Sequence, residues 1–221
     1  MSNTHVEQLW QDSKITATPS KVLCVGRNYV DHIEELNNAI PEHMVVFNKP
    51  STCVTSTLTS FHQEALHYEA EICFIVEQGQ YVAVGLGLDL TKRELQSYLK
   101  GKGLPWERAK AFDGSAVLSR FVSLDGVDLS DLHLELFINC VRVQKGHVSQ
   151  MLYPPQIILE ELSSYTTLLD GDVVMTGTPK GVGEVHQVDG ADVHVRWTRD
   201  RGASPPRALH PRASRGAALQ G

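Results

Sequence analysis

The chain has no excess of positive charge: 20 Lys and Arg stand against 26 Asp and Glu, for a formal net charge of −6. Phosphate backbones are bound by basic faces, so nucleic acid is excluded as a main partner and a small molecule becomes the default. No apolar run approaches the ~18 residues of a membrane-spanning helix, and Met1 to Thr18 is polar, without the apolar segment of a signal peptide. Cysteines are few: Cys24, Cys53, Cys73 and Cys140 are widely spaced and form no Cys-x-x-Cys pair. They read as reduced, mostly buried residues of a cytoplasmic protein with no membrane partner. The Gly-rich stretch at 177–183 has the spacing Gly-x-x-x-Gly-x-Gly, which matches neither a Walker A loop nor a dinucleotide fingerprint.

What is present is an ordinary globular composition, 42% hydrophobic and 21% charged over 221 residues. That is enough for one sizeable core, as one large domain or two small ones. The stretch from His67 to Val76 is strand-like and apolar except for Glu69 and Glu71. Alternation puts both acids on one face of a strand, with Cα atoms about 7 Å apart. Like charges so placed repel, and two readings stay open: a solvated strand edge, or a pair of oxygen ligands for a hard divalent cation.

Lys21–Gly26 reads as a buried strand stopping at a turn, and Val30–Leu36 as a helix that makes His32 and Glu35 neighbours. A His beside a Glu can hold one tautomer and act as a base; a surface pair is the plainer alternative. Val45–Phe47 reads as a strand leading to Lys49-Pro50. Tyr81–Leu90 is a nearly continuous apolar run with Asp89 near its end, where an acid can cap the helix that follows or belong to a site. That helix, Lys92 to Lys100, places Arg93 and Gln96 three apart and stops at Gly101 and Gly103. Residues 104–113 read as a loop and a short turn. Leu132–Cys140 alternates as a strand returning in a hairpin from Val141, Gln156–Ser164 is an amphipathic helix, and Val173–Met175 ends a buried strand. The tight loop Thr176–Gly183 is read either as a hairpin loop or as one bringing backbone N–H groups near an anion. Periodicity alone thus predicts a β-rich α+β fold.

In order, Gly26-Arg27-Asn28-Tyr29 with His32 and Glu35, Lys49-Pro50, His67-Tyr68-Glu69-Ala70-Glu71, Leu88-Asp89-Leu90-Thr91 with Arg93 and Gln96, Lys102-Gly103-Leu104-Pro105-Trp106 with Lys110, and Thr176-Gly177-Thr178-Pro179-Lys180-Gly181-Val182-Gly183 resemble the fumarylacetoacetate hydrolase family. The likeness spans about Lys21 to Trp197 and is nearest the short, single-domain branch of acylpyruvate hydrolases and oxaloacetate decarboxylases. The resemblance implies mixed sheets rolled into a barrel-like core, usually dimeric. It also implies Glu69, Glu71 and Asp89 as ligands of Mg²⁺ or Mn²⁺, a His32–Glu35 dyad on a helix over the site, and Lys110 as the residue that holds or polarises substrate. Arg27, Arg93, Gln96, Gly177 and Thr178 would line the substrate pocket. The implied reaction is metal-dependent cleavage of a C–C bond in an acylpyruvate to give pyruvate, with decarboxylation of oxaloacetate by the same site. Alternatives within the resemblance are an oxaloacetate keto–enol tautomerase or an isomerase of aromatic-degradation diacids; a non-catalytic metal-binding scaffold is a third. Residues 1–197 read as one catalytic domain with a lead-in to residue 20. Residues 198–221, with Arg, Pro and Ala but no period, read as a disordered or aberrant tail.

Overall fold

Apolar runs with no polar alternation demand cover on both faces, and the chain meets this with a central mixed sheet. The computed structural model describes residues 19–36, 40–186 and 193–198. Side by side in the sheet lie Val45–Pro50, Lys21–Gly26, Val173–Met175, Ala70–Glu77, Gln80–Asp89, Ala116–Leu118 and Val54–Thr55, with Val122–Ser123 added against Gln80–Asp89. Lys21–Gly26 is parallel to Val173–Met175 and Val54–Thr55 to Ala116–Leu118; the other pairings are antiparallel. The sheet curls into a half-barrel, the expected β-rich α+β architecture.

Four helices are labelled α1 (Val30–Glu35), α2 (Arg93–Gly101), α3 (Glu107–Lys110) and α4 (Pro155–Tyr165). Pro155 opens α4 at a position that needs no N–H donor, and its stripe Ile158, Leu159 and Leu162 packs on Leu23, Val25 and Val174 of the sheet. Val22, Cys24, Cys73, Ile75, Val173 and Met175 fill the opposite face. A hairpin of His133–Ile138 and Val141–His147 turns through Asn139 and Cys140, both left-handed (φ 50 and 63). Val193–Thr198 pairs along its other edge. Cys24, Cys53 and Cys73 are buried free thiols and Cys140 is exposed. Among the described residues no helix is long and apolar enough to cross a membrane. Apart from Thr198, the tail read at 198–221 lies outside the described residues.

Two expectations are corrected. The stretch His67–Val76 is two strands in two sheets: Glu64–Tyr68 pairs with Phe61–His62, Thr91–Lys92 and Gly183–Glu184, whereas Ala70–Glu77 belongs to the central sheet. The chain changes sheets at Glu69, whose carbonyl accepts from Asp89 N at 2.8 Å. Gln80–Asp89 gives way to Thr91–Lys92 at the same level, so both acids sit at a corner between sheets. Asp89, moreover, is not a helix cap: α2 begins at Arg93 with Lys92 as N-cap and no side-chain cap bond. Its carboxylate is drawn to buried ammonium groups instead.

Another buried acid holds the sheet's end together. Asp172 accepts from Ser20 N (3.0 Å), Ser20 Oγ (2.7 Å), Lys21 N (3.2 Å) and Leu169 N (2.9 Å), and meets Lys21 Nζ at 2.5 Å. Burial pushes its carboxyl up, but the Lys21, Ser20 and Leu169 donors outweigh it and hold the group below its usual value. A depressed folded-state pKa contributes stability above the unfolded value of about 3.9, lost as pH falls through the folded one. Asp172→Asn is therefore expected to lower stability at pH 7 by about 2–4 kcal/mol, with the deficit shrinking below about pH 4. Urea denaturation at pH 7 and pH 3 measures it; a deficit that does not vary with pH would count against the linkage.

Candidate metal centre and active site

The register of two strands assembles the acids. Ala70–Glu77 and Gln80–Asp89 pair so that Ala70 faces Leu88 and Glu71 faces Gly87, and one step further Glu69 meets Asp89. A Cβ at Gly87 would lie 2.7 Å from Cys73 Sγ and 2.9 Å from Met175 Cε, so the sulfur layer under the acids requires glycine there. One oxygen from each of Glu69, Glu71 and Asp89 lies within 4.8 Å of the others, and all three residues are buried.

Cations converge on the same corner. Lys110 Nζ, from α3, reaches Glu69 Oε2 at 2.9 Å and Asp89 Oδ2 at 2.5 Å and donates to Thr91 Oγ1 at 2.7 Å. Lys49, with no exposed surface, points from Val45–Pro50 to Asp89 Oδ1 at 2.8 Å; it also donates to Ser115 O (3.2 Å), Ser115 Oγ (3.0 Å) and the Lys110 carbonyl. Arg93, at the start of α2, pairs with Glu69 Oε1 and donates to Gln96 Oε1 at 2.8 Å.

Compensation is uneven. Burial pushes Glu69 up, but the charges of Lys110 and Arg93 reverse this and hold it well below the carboxylate range. Burial pulls Lys110 down, yet Asp89 and Glu69 more than restore it. Among the described residues the Glu71 carboxylate accepts only the Gly177 N–H, at 2.7 Å; burial, then Asp89 and Glu69, push its carboxyl well above its usual value. A centre with one carboxyl short of positive charge, and an all-oxygen donor set, fits a hard dication such as Mg²⁺ or Mn²⁺ better than zinc, which favours His and Cys.

The loop Thr176–Gly183 does bring N–H groups to anions, and two of the anions are the protein's own. Gly177 N serves Glu71, and Gly181 N donates to Glu35 Oε1 at 2.9 Å. Gly177 is left-handed (φ +98), and a Cβ there would lie 2.8 Å from Asn28 Cβ. Asn28 Nδ2 holds Thr176 O at 2.8 Å and Tyr153 O at 3.0 Å. Thr178 Oγ1 donates to Ala70 O (2.9 Å) and accepts from Gln144 Nε2 (2.8 Å), while Gln144 Oε1 accepts from Ala70 N (2.9 Å). The strand before the loop and the strand after it belong to different sheets, so the plain hairpin reading does not hold.

Helix α1 lies over this floor. His32 is buried and its Nδ1 donates to Glu35 Oε2 at 3.1 Å, which leaves Nε2 for proton transfer. Below the helix is a cleft walled by side chains of α1, α2, α3 and the central sheet. Of the residues singled out from sequence, Arg27, His32, Glu69, Glu71, Asp89, Arg93, Gln96, Lys110 and Thr178 line it. Glu35 stands behind His32, and Gly177 behind Glu71. Sequence reasoning gave no role to Lys49, Gln144, Lys100 or Trp106. Lys49 had a signal: it alternates with Phe47 on the inward face of an apolar strand, opposite Val22. Gln144 had none, lying in an otherwise half-exposed hairpin strand.

The family model for the fumarylacetoacetate hydrolase C-terminal domain matches residues 21–214. The chain is similar to the mitochondrial oxaloacetate tautomerase FAHD1 of Bos taurus, 39% identical over 76% of this chain and 83% of the relative. It is 35% identical to the oxaloacetate tautomerase YcgM of Escherichia coli K12, covering 81% of this chain and 90% of that one. The crystal structure of fumarylpyruvate hydrolase from Pseudomonas aeruginosa, in complex with Mn²⁺ and pyruvate, superposes with a TM-score of 0.75 at 26% identity over 86% of this chain and 88% of the other.

Proposed function

The chain belongs to the fumarylacetoacetate hydrolase family, and from that premise we propose that it is a divalent-metal-dependent enzyme of 2-oxo acids whose reaction is keto–enol tautomerisation of oxaloacetate. The observation that carries this reading is the convergence of three buried carboxylates with His32 on one cleft. The names of two relatives support the choice of reaction, and the Mn²⁺ in the P. aeruginosa hydrolase supports a metal between Glu69, Glu71 and Asp89.

Bound there, Mg²⁺ or Mn²⁺ supplies a Lewis acid that withdraws charge from a 2-oxo group. Arg93 and Lys110 offer charged donors to the substrate's oxygens, and Gln96 and Thr178 line the wall that orients it. His32 Nε2 takes the proton from C3, with Glu35 fixing the ring through Nδ1 and steadying the imidazolium. The charge that gathers on the 2-oxygen is met by Lys110 Nζ, and the proton taken up by His32 is returned to that oxygen, which completes the enol and restores the neutral imidazole. Nothing beyond proton transfer is needed.

The same pair supports a second reading, hydrolysis of an acylpyruvate: His32 would deliver a water to the distal carbonyl, and the C3–C4 bond would break to give pyruvate and an acid. Likeness to fumarylpyruvate hydrolase favours it. Decarboxylation of oxaloacetate would need no base. His32→Ala separates the reactions when assayed with Mg²⁺ or Mn²⁺ for oxaloacetate tautomerisation, for pyruvate release from acetylpyruvate and for pyruvate release from oxaloacetate. Tautomerisation and hydrolysis are expected to fall by about 10²–10⁴, decarboxylation little. Unchanged tautomerisation would overturn His32 as the base. Fast hydrolysis with slow tautomerisation in the wild type would make the second reading the function.

A further inference from the structure

Helix α1 carries the base, yet its own sequence does little to keep it in place. At six residues it is far shorter than the ~12–15 that a helix needs to persist alone in water. Asp31 has Glu34 three and Glu35 four residues on, so like charges crowd one side of the helix, and Glu35 stands at the end where the dipole opposes an anion. Two successive residues of the loop at 176–183 answer these acids. Lys180 Nζ meets Asp31 Oδ2 at 2.9 Å, and Gly181 N donates to Glu35 Oε1 at 2.9 Å. The other oxygen of Glu35 is the one that holds His32 Nδ1, at 3.1 Å.

The loop side of this clasp is the fixed one. Gly181 is left-handed (φ +99), and a Cβ there would fall on the carbonyl oxygen of Val143, so the loop backbone rests directly on the neighbouring hairpin strand. Thr178 is tied to Ala70 and Gln144, and Gly177 N serves Glu71. One segment thus braces a candidate metal ligand at its start and the dyad at its end. The hydrogen bond and charge of Asp31, with Glu35 and Glu34 adding to them, raise the Lys180 ammonium above its usual value. The side chains of Lys180 and Asp31 are 64% and 54% exposed, so dissolved ions reach the contact and weaken it. Resting on the reading of His32 as the base, we propose that Lys180 is a positioning residue of the reaction: with the Gly181 N–H it clasps Asp31 and Glu35, and so holds α1 and His32 over the three acids.

Hydrogen–deuterium exchange over residues 28–36 of the Mn²⁺-loaded protein reads the clasp without substrate, through the Ile33 and Leu36 amides that donate to Tyr29 O and His32 O. Lys180→Met and Asp31→Asn are each expected to speed this exchange about two- to fivefold, and the double variant no more than either alone. Lys180→Arg should keep the wild-type rate, and about 1 M NaCl should speed exchange in the wild type but not in Lys180→Met. At saturating oxaloacetate, Lys180→Met should lose about two- to fivefold in kcat, with Mn²⁺ affinity by calorimetry unchanged, and should cost nothing further in a His32→Ala background. Unchanged exchange in Lys180→Met, faster exchange with unchanged kcat, or the same loss of kcat when His32 is absent would each overturn the positioning role while leaving the 2-oxo acid site standing. A fully active His32→Ala would sink the underlying reading of the base, and the role of Lys180 with it.

Discussion

Glu71→Gln is expected to leave the fold standing and to abolish the rise in melting temperature that Mg²⁺ or Mn²⁺ gives the wild-type chain. A metal that binds only the native state adds about 2.7 kcal/mol at 100 times its Kd. For a chain of this size that is a shift of roughly 5–10 °C. Glu71 is the acid whose charge burial opposes most plainly, since Asp89 and Glu69 push it up further and the Gly177 N–H and the Lys110 charge do not offset them. Glutamine copies the neutral form and still offers Gly177 a carbonyl oxygen, so the loop at 176–183 keeps its anchor. The metal-free variant should therefore melt at or slightly above the wild type, which separates loss of a ligand from loss of the fold. Tautomerase activity should fall by about 10³. A full thermal shift in Glu71→Gln would remove this residue from the metal centre.

Lys49→Met should instead damage the fold before the chemistry. Lys49 is fully buried; its ammonium lies 2.8 Å from Asp89 Oδ1 as an ion pair and donates to both oxygens of Ser115 and to the carbonyl of Lys110. Methionine fills the volume but leaves a buried carboxylate facing one cation fewer and buried acceptors without a donor. Breaking a buried pair from one side costs about 3–5 kcal/mol, for a fall in melting temperature of order 10 °C. The remaining charge on Asp89 would fall to Lys110, which already bridges Asp89 and Glu69. Differential scanning calorimetry of wild type and variant without metal decides the matter. A change under about 1 kcal/mol would mean that the Lys49–Asp89 contact contributes little in solution.

Much of the site was legible because its chemistry is carried by residue types that seldom occur in such places. Two glutamates in an apolar run, an aspartate ending a buried strand, and a His three residues before a Glu each allowed a plainer reading alone, and it was their order along the chain that carried the family resemblance. The strands at 21–26, 80–89 and 173–175 and the helix at 155–165 follow from apolar run length and periodicity, which are properties of the local chain. Lys49 could have been found by the same logic, since a lysine alternating with Phe47 on an inward face needs a buried anion.

Other features could not be read locally. That Glu69 falls between one strand and the next depends on which distant segments offer free edges; Thr91–Lys92 and Gly183–Glu184 take one, Gln80–Asp89 the other. Gln144 acts only because the hairpin brings it to Ala70 and Thr178, 74 and 34 residues away in sequence. The sequence by itself determined the apolar runs that must be buried and the acids, bases and glycines available to a hard-metal site. The tertiary structure alone decided their sharing of charge: Glu69 between Lys110 and Arg93, Asp89 between Lys49 and Lys110, and Glu71 left with a single backbone donor. Coulombic and desolvation energies depend on distance in space and on burial, and neither is a property of spacing along the chain.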